Sequence, residues 1–129
     1  MKSVLQSVEN FSRFLGVNNL KTIRADLEVY KSVKLEDKSV DFIIVTNLFF
    51  QTKKHKEVLK EIDRLTKEGG KILIAEWKKA GLLFGPPVDL RVTPDYLKKI
   101  IQNFNWHLKK EFEAGSSHYV LVFVKKENL

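Results

Sequence analysis

An acid and an indole end one apolar stretch of this sequence. Residues 72–75 read Ile-Leu-Ile-Ala, which is typical of a buried strand, and Glu76 and Trp77 follow directly. Packing alone gives a buried strand no reason to end in an acid, whereas side chains at the carboxyl ends of parallel strands face the crevice where ligands bind. Glu76 and Trp77 are therefore candidates for a cleft edge. The alternative is that Glu76 begins a solvated loop and Trp77 covers the core.

Two other predicted strands also end in residues that could contact a ligand. Residues 42–45 are continuously apolar and rich in β-branched side chains, so both faces of this strand are expected to be buried, and Asn47 follows it. Residues 20–25 alternate weakly between apolar and polar, which predicts a short strand ending at Asp26, with Leu27 next.

The order of the predicted elements is typical of an α/β protein. Alternating helices and strands predict a single domain over residues 1–129, with a mostly parallel sheet, helices on both faces and a C-terminal antiparallel hairpin. Helices are expected at residues 4–15, from Thr52 to a left-handed cap at Gly69, and from an N-cap at Thr93 through residue 104. Strands are expected at residues 20–25, 40–47, 72–75, 106–113 and 118–125.

Composition excludes several classes of site. The chain has no cysteine, and none of its three histidines has metal-ligand spacing with another, so no metal site is predicted. His55 and His107 are expected to be solvated. No apolar run approaches the roughly 20 residues of a membrane span, and a cytoplasmic location is expected. The net charge of +7 comes from dispersed lysine pairs, which favours a solvated basic surface over a nucleic-acid groove.

A Gly/Pro-rich loop carries unusually apolar residues. Leu82, Leu83 and Phe84 lie between Gly81 and Gly85. We expect them to form a lid over the crevice beyond Glu76 and Trp77, because apolar residues on such a loop usually cover something. Arg91 is expected to be oriented toward the same crevice.

Several segments together resemble the later part of a Rossmann-like S-adenosylmethionine-dependent methyltransferase. They read VDFIIVTNLFF, HKEVLKEIDRLTKEGGKILIAEWKK, GPPVDLRVTPDYLKKII and HYVLVFVKK. Residues 59–70 match the family pattern of a Leu, a Glu, an Arg and a Leu before Gly-Gly. A small subgroup has an acid-Trp-Lys motif, Gly-Pro-Pro, an Arg and a terminal His-Tyr. The chain matches it with Glu76, Trp77, Gly85, Pro86, Pro87, Arg91, His118 and Tyr119.

The resemblance implies S-adenosylmethionine as the cofactor and in-line methyl transfer as the reaction. By this likeness Asp26 lies beside the adenine ring and Leu27 packs on it, while Asn47 and Leu48 border the methionine part. Phe50 stands where many relatives have a histidine, so no catalytic base is transferred and the catalytic residues stay unassigned. The substrate or lid candidates are Phe50, Glu76, Trp77, Phe84, Arg91 and His118.

The family's first strand, glycine-rich turn, first helix and second strand have no counterpart in this sequence. The family sheet has the order 3-2-1-4-5-7-6, and here the strand before Asp26 would be the third and residues 40–45 the fourth. Two absent strands would leave the fourth strand with an unpaired edge. Either the chain is a fragment, or another chain supplies the strands, or the strand before Asp26 moves over to pair with residues 40–45.

These expectations predict a methyltransferase for an unidentified acceptor that needs a complementing segment. A homodimer, or complementation by another chain, would close the sheet. The first alternative is a non-catalytic interaction module with a methyltransferase-like fold. The second is a basic protein associated with nucleic acid.

Overall fold

The computed structural model describes residues 2–79 and 84–127. Within them lie three helices and four strands. The helices are α1 (Lys2–Phe14), α2 (His55–Leu65) and α3 (Pro94–Ile101), and the strands are β1 (Val40–Thr46), β2 (Thr66–Trp77), β3 (Trp106–Ala114) and β4 (His118–Lys125). Two single turns of 3₁₀ helix, Phe49–Gln51 and Val88–Leu90, follow β1 and precede α3.

The four strands form one sheet in the order β1-β2-β4-β3. β1 and β2 are parallel, and β4 is antiparallel to both of its neighbours, β2 and β3. Three of the four strands therefore run in one direction, and the last two form the predicted hairpin. This arrangement confirms the predicted α/β class and matches strands 4-5-7-6 of the expected order.

One face of the sheet carries the hydrophobic core. Cross-strand pairing aligns Val45 with Ile74 and Leu121 on this face, and Ile72 with Phe123. The helices cover it with apolar side chains that are nearly free of solvent exposure. These are Val58, Leu59 and Ile62 of α2 and Leu97 and Ile101 of α3.

The opposite face of β1 is exposed, so the prediction that both faces of this strand are buried was wrong. Phe42 and Ile44 are 47% and 66% exposed. Their side chains point away from the core face, and nothing among the described residues buries them. The outer edge of β1 is also unpaired within residues 2–79 and 84–127.

The predicted strand at residues 20–25 does not form, which is a second correction. The segment is irregular, and Leu20 and Ile23 remain 46% and 39% exposed. Since its alternation is weak, pairing with β1 would bury little apolar surface. The segment thus neither closes the sheet nor delivers Asp26 from a strand end.

Helix α1 forms as predicted, but most of its apolar stripe stays exposed. Val4, Val8, Phe11 and Phe14 are all exposed, with Phe14 at 84%, and none belongs to the core. An amphipathic helix normally gains its stability from packing this stripe. The stripe and the free side of β1 are therefore two unsatisfied apolar surfaces in one domain.

The glycine pair after α2 has a different role from the predicted helix cap. α2 ends at Leu65 and β2 begins at Thr66, so Gly69 lies inside the strand with φ of +80°, beside an irregular register with β1. A Cβ on Gly70 would lie 2.8 Å from the Lys67 carbonyl oxygen and 3.1 Å from that of Asp41. The two glycines thus allow a kinked strand to approach its neighbours closely.

The cap of α3 is confirmed, although the helix is shorter than predicted. The Thr93 hydroxyl accepts a hydrogen bond from the Tyr96 amide at 3.1 Å, and Pro94 occupies the first helical position. The helix ends at Ile101, three residues before the expected end. Phe104 then packs against Trp106, with ring centroids 5.3 Å apart.

A buried ion pair on α2 fixes the loop between the Asp26 segment and β1. The Glu61 carboxylate accepts hydrogen bonds from the backbone amides of Lys31 and Val33, both at 2.9 Å. Arg64 donates to Glu61 and to the carbonyl oxygens of Val33 and Leu35. These donors lower the pKa of Glu61 from its ordinary 4.5 to about 2, with the Arg64 hydrogen bond as the largest cause.

Substitution of Glu61 should reveal this anchor. Glu61→Gln should lower the free energy of unfolding at pH 7 by roughly 3 kcal/mol, because it leaves a buried guanidinium without its buried charge partner. The lowered pKa means that the carboxylate stabilises the fold above pH 4.5 and loses this effect as the pH falls toward 2. Urea unfolding across this range should therefore show the wild type and variant converging.

Asp37→Asn provides the matched control, since Asp37 also contacts Arg64 but its side chain is 59% exposed. Its effect should be much smaller than that of Glu61→Gln. Equal effects of the two variants would contradict a special role for the buried carboxylate.

Candidate functional site

The carboxyl ends of β1 and β2 lie at the same edge of the sheet, and two cavities open near it. The residues after β1, from Asn47 to Thr52, lie between them: Leu48 lines the first cavity, Phe49 and Phe50 line the second, and Thr52 lines both. This is the edge where open α/β sheets bind ligands.

The first cavity brings together three residues that the sequence assigned to a cofactor. It has a volume of about 710 Å³, and Asp26, Leu27 and Leu48 line it together with Val58. The hydroxyl oxygen of Ser32, another lining residue, is buried without a hydrogen-bond partner among the described residues. Asp26 therefore lies in one cavity wall with Leu27 and Leu48, although its strand does not form.

A turn holds Asp26 at this cavity. One Asp26 carboxylate oxygen accepts the Glu28 amide at 3.0 Å, and the Asp26 carbonyl oxygen accepts the Val29 amide at 3.0 Å. Glu28 in turn accepts a hydrogen bond from the Thr52 hydroxyl. The Asp26 segment is thus tied to the segment after β1, and the second carboxylate oxygen of Asp26 has no hydrogen-bond donor among the described residues.

Asn47 adopts a left-handed backbone conformation that its neighbours hold in place. Its φ is +55°, which is uncommon outside glycine. Its amide donates to the Ala75 carbonyl oxygen at 2.9 Å, and its side-chain oxygen is 2.8 Å from Nε2 of His118. Because that amide oxygen can only accept, Nε2 carries the proton, and Nδ1 accepts from the Ser117 hydroxyl at 2.7 Å. His118 therefore orients Asn47.

Glu76 is a buried anchor for the segment after β1. Its side chain has no solvent exposure, and Oε2 accepts the backbone amides of Leu48 at 2.7 Å and Phe49 at 3.0 Å. Its other carboxylate oxygen is buried without a hydrogen-bond partner among the described residues. Burial raises the pKa of Glu76, opposed by these amides. Glu76 thus neither begins a solvated loop nor lies open in a cleft.

Trp77 and Phe84 meet beside the strand end, as the lid prediction requires. Their ring centroids are 6.0 Å apart, and the Trp77 ring lies 4.4 Å from that of His118. A Cβ on Gly85 would lie 2.9 Å from the Trp77 ring, so the loop depends on glycine there. Leu82 and Leu83, the other predicted lid residues, fall outside the described residues.

Arg91 holds this loop from within. Its guanidinium donates to the carbonyl oxygens of Lys78, Phe84 and Pro86, each at 2.9 Å, and lies 5.6 Å from the centroid of the Trp77 ring. Its side chain also lines the second cavity. With three donors committed to loop carbonyls, Arg91 positions the loop.

The second cavity contains a histidine that the sequence reading placed in solvent. It has a volume of about 330 Å³, and His55 and Tyr96 lie in its wall beside Phe49 and Phe50. His55 is half-buried and hydrogen-bonded through both ring nitrogens, so the expectation that it is solvated was wrong. In the sequence, the feature that could have indicated this was the position of His55 at the first turn of α2, only five residues after Phe50.

The part of the chain that the structure describes has neither a metal-binding cluster nor a membrane-spanning helix. Over residues 2–79 and 84–127, no cluster of three or more histidine, aspartate or glutamate side chains could hold a metal ion. No helix in these same ranges is long and apolar enough to cross a membrane.

The sheet order β1-β2-β4-β3, with helices packed on the sheet, defines a Rossmann-like α/β protein. A family model described as a methyltransferase domain matches residues 2–74, which is more than half of the chain. The chain therefore belongs to the methyltransferase domain family, whose cofactor is S-adenosylmethionine. Comparison with curated protein sequences gives no significant match.

Solved structures show the same fold. An S-adenosylmethionine-dependent methyltransferase from Aquifex aeolicus is 19% identical with a TM-score of 0.85, over 97% of this chain and 65% of its own length. A proposed type 11 methyltransferase from Sulfolobus solfataricus is 25% identical with a TM-score of 0.70, over 96% and 68%. The [4+2]-cyclase SpnF is 12% identical with a TM-score of 0.79, over 96% and 63%. This chain thus spans about two thirds of each of these proteins.

Two substitutions of Glu76 should distinguish the effect of its hydrogen-bonding oxygen from the effect of its charge. Glu76→Ala removes the acceptor of two backbone amides and should lower the free energy of unfolding by about 2–4 kcal/mol. Glu76→Gln keeps an acceptor oxygen and should cost far less.

A raised pKa means that the folded state holds the proton more tightly, so the wild type loses stability as the pH rises above 4.5. In urea unfolding, the stability of Glu76→Gln relative to the wild type should therefore increase as the pH rises. If the two substitutions are equally costly at every pH, Glu76 does not act through this hydrogen-bonded oxygen.

Proposed function

We propose that the first cavity binds the adenosine end of S-adenosylmethionine and that the chain takes part in methyl transfer. The observation that carries this proposal is the convergence of Asp26, Leu27 and Leu48 on one cavity next to Asn47. These residues were assigned to the cofactor from sequence likeness alone, and they come from segments more than 20 residues apart.

The chemistry of the cavity suits an adenine base. The Asp26 carboxylate can accept a hydrogen bond from the exocyclic amine, and Leu27 and Val58 offer apolar surface to the ring. The unpartnered Ser32 hydroxyl is a further polar group for a ligand. A volume of about 710 Å³ is within the usual range for small-molecule sites.

The same cavity lacks part of what the whole cofactor needs. Its lining residues include no glycine among the described residues, so no backbone approaches closely in the way that a glycine-rich turn permits. We propose that a complementing segment supplies the ribose contacts and the methionine contacts that Asn47 and Leu48 do not make. The bound cofactor supplies a methyl group on a sulfonium, and this chain's contribution is to orient it.

Orientation depends on the segment after β1. Glu76 fixes the amides of Leu48 and Phe49, and His118 fixes the side chain of Asn47, so the residues assigned to the methionine part have little freedom. Holding two reactants in line accounts for much of the rate of a transfer that needs little acid–base assistance.

Weak cofactor binding by the chain alone is the expected result. S-adenosylhomocysteine should bind with a dissociation constant of about 100 μM or weaker, roughly −5 kcal/mol, because only one end of the site is present. In NMR titration the amides of Asp26, Leu27 and Leu48 should shift. Asp26→Ala should weaken binding several-fold, while Asp89→Ala, in the second cavity, should leave it unchanged. Tight binding, or shifts confined to other regions, would contradict the proposed site.

We propose also that a second copy of the chain covers the open side of β1. The free edge of β1, the exposed Phe42 and Ile44, and the apolar stripe of α1 support this assembly, because unpaired edges and apolar surfaces recruit partners. A two-fold dimer is the commonest way to cover such surfaces. A hetero-partner that supplies the absent strands would satisfy the same surfaces and is the alternative.

Light scattering should therefore give twice the chain mass of 15.0 kDa at micromolar concentration. Ile44→Lys should return the mass to that of a monomer with circular dichroism unchanged, because Ile44 is 66% exposed within one copy. Val88→Lys, which places the same charge on a 46% exposed residue outside the sheet, is the matched control and should remain dimeric. A monomeric wild type would reject the homodimer and favour a different partner.

The open edge equally favours a second function, that of a non-catalytic interaction module. The cyclase named above shows that this fold serves other chemistry, so fold alone does not assign methyl transfer. An interaction module would retain assembly through β1 but show no binding of S-adenosylhomocysteine at Asp26.

A further inference from the structure

The Tyr96–His55 pair in the second cavity has a defined direction of hydrogen bonding. Nε2 of His55 lies 2.7 Å from the Phe49 carbonyl oxygen, which can only accept, so Nε2 carries the proton. Nδ1 is therefore the basic nitrogen, and it accepts from the Tyr96 hydroxyl at 2.7 Å. The Tyr96 oxygen keeps lone pairs with which it can accept a hydrogen bond from a ligand.

Both members of the pair are held rigidly while remaining accessible. The Phe49 amide is bound by the Glu76 carboxylate, so the carbonyl that orients His55 belongs to the anchored segment. The Tyr96 amide is bound by the N-cap Thr93, and the Tyr96 side chain is 40% exposed. The rings of His55 and Tyr96 meet edge to face, with centroids 5.5 Å apart.

The remainder of the cavity suits a small and largely apolar molecule. Phe49, Phe50, Leu90 and Val92 contribute apolar surface, and the volume of about 330 Å³ is at the small end of ligand sites. The charged lining residues are Lys53, Lys79, Asp89 and Arg91. Arg91 is committed to loop carbonyls, and the Tyr96 hydroxyl, fixed by its hydrogen bond to His55, is a neutral polar group that can orient a ligand.

We propose that this second cavity is the methyl-acceptor site and that it takes a small apolar molecule, such as a phenol, whose hydroxyl is the nucleophile. The transfer itself rests on the function proposed above, whereas binding of the acceptor does not. The segment Leu48–Thr52 separates this cavity from the proposed cofactor cavity, and Thr52 lines both.

The pair would receive the proton that methylation of a hydroxyl releases. With S-adenosylmethionine bound in the first cavity, a bond from the acceptor oxygen to the methyl carbon would replace the carbon–sulfur bond, whose electron pair would stay on sulfur. The acceptor proton passes to the Tyr96 oxygen, and the Tyr96 proton passes to Nδ1 of His55. One positive charge is lost with the sulfonium and one appears on the imidazolium, so charge and atoms balance. Tyr96 is the catalytic residue in this step, and His55 acts through it.

The first test compares phenol with toluene, which has nearly the same shape but no hydroxyl, on the full chain by NMR titration. Phenol should shift the resonances of Phe49, His55 and Tyr96 and should bind more tightly than toluene. Tyr96→Phe should remove this preference, with about a fivefold loss for phenol and no change for toluene, as loss of one hydrogen bond predicts. Tyr30→Phe removes a hydroxyl from another exposed tyrosine and is the matched control.

A second readout reports on His55 itself. Because chained hydrogen bonds polarise one another, phenol should move the ¹⁵N resonance of Nδ1 toward its protonated value, and toluene should not. In Tyr96→Phe this response should disappear. A purely structural His55–Tyr96 contact would give no phenol-specific shift at Nδ1.

Each outcome decides between the two proposals. Phenol shifts outside the second cavity, or a phenol preference that survives Tyr96→Phe, would overturn the acceptor site. If phenol behaves as expected but S-adenosylhomocysteine does not perturb Asp26, the cofactor proposal fails and the hydroxyl-binding cavity stands. The reverse pattern would leave the cofactor site and reject this acceptor.

Discussion

The hydrogen bonds that the amides of Leu48 and Phe49 donate to the Glu76 carboxylate join the two parallel strands at the carboxyl edge of the sheet. The same few residues then extend in two directions. Leu48 faces the first cavity, and the Phe49 carbonyl oxygen orients His55 in the second. A carboxylate normally avoids full burial because desolvation is costly. Here two backbone donors offset part of that cost, and both cavities border the segment that these donors hold.

The sequence predicted the elements whose signals are local and strong. The hairpin, α2, the Thr93 cap and the apolar runs of β1 and β2 each follow from periodicity or capping chemistry within a short window. The segment before Asp26 failed because its alternation was weak and because a strand exists only if a neighbour pairs with it. Periodicity in residues 20–25 carries no information about that neighbour.

The predicted site shows the same division between local and long-range information. Likeness to a family singled out Asp26, Leu27 and Leu48, and one cavity contains all three although the expected strand does not form. It could not show that Glu76 is buried, because burial depends on how the segment after β1 folds back over the end of β2. It also missed His55, whose partners are six and forty-one residues away in the chain.

The uncovered side of β1 restricts what kind of partner can complete the domain. A single extended peptide could pair with the edge of the strand, but Phe42 and Ile44 project from a face of the sheet and would remain exposed to solvent. The edge and the face can be satisfied together only by a two-layer element, a strand with a packed helix or its equivalent. A partner that covered both would therefore dock as one folded surface on another, and short linear motifs are poorly suited to this side of β1.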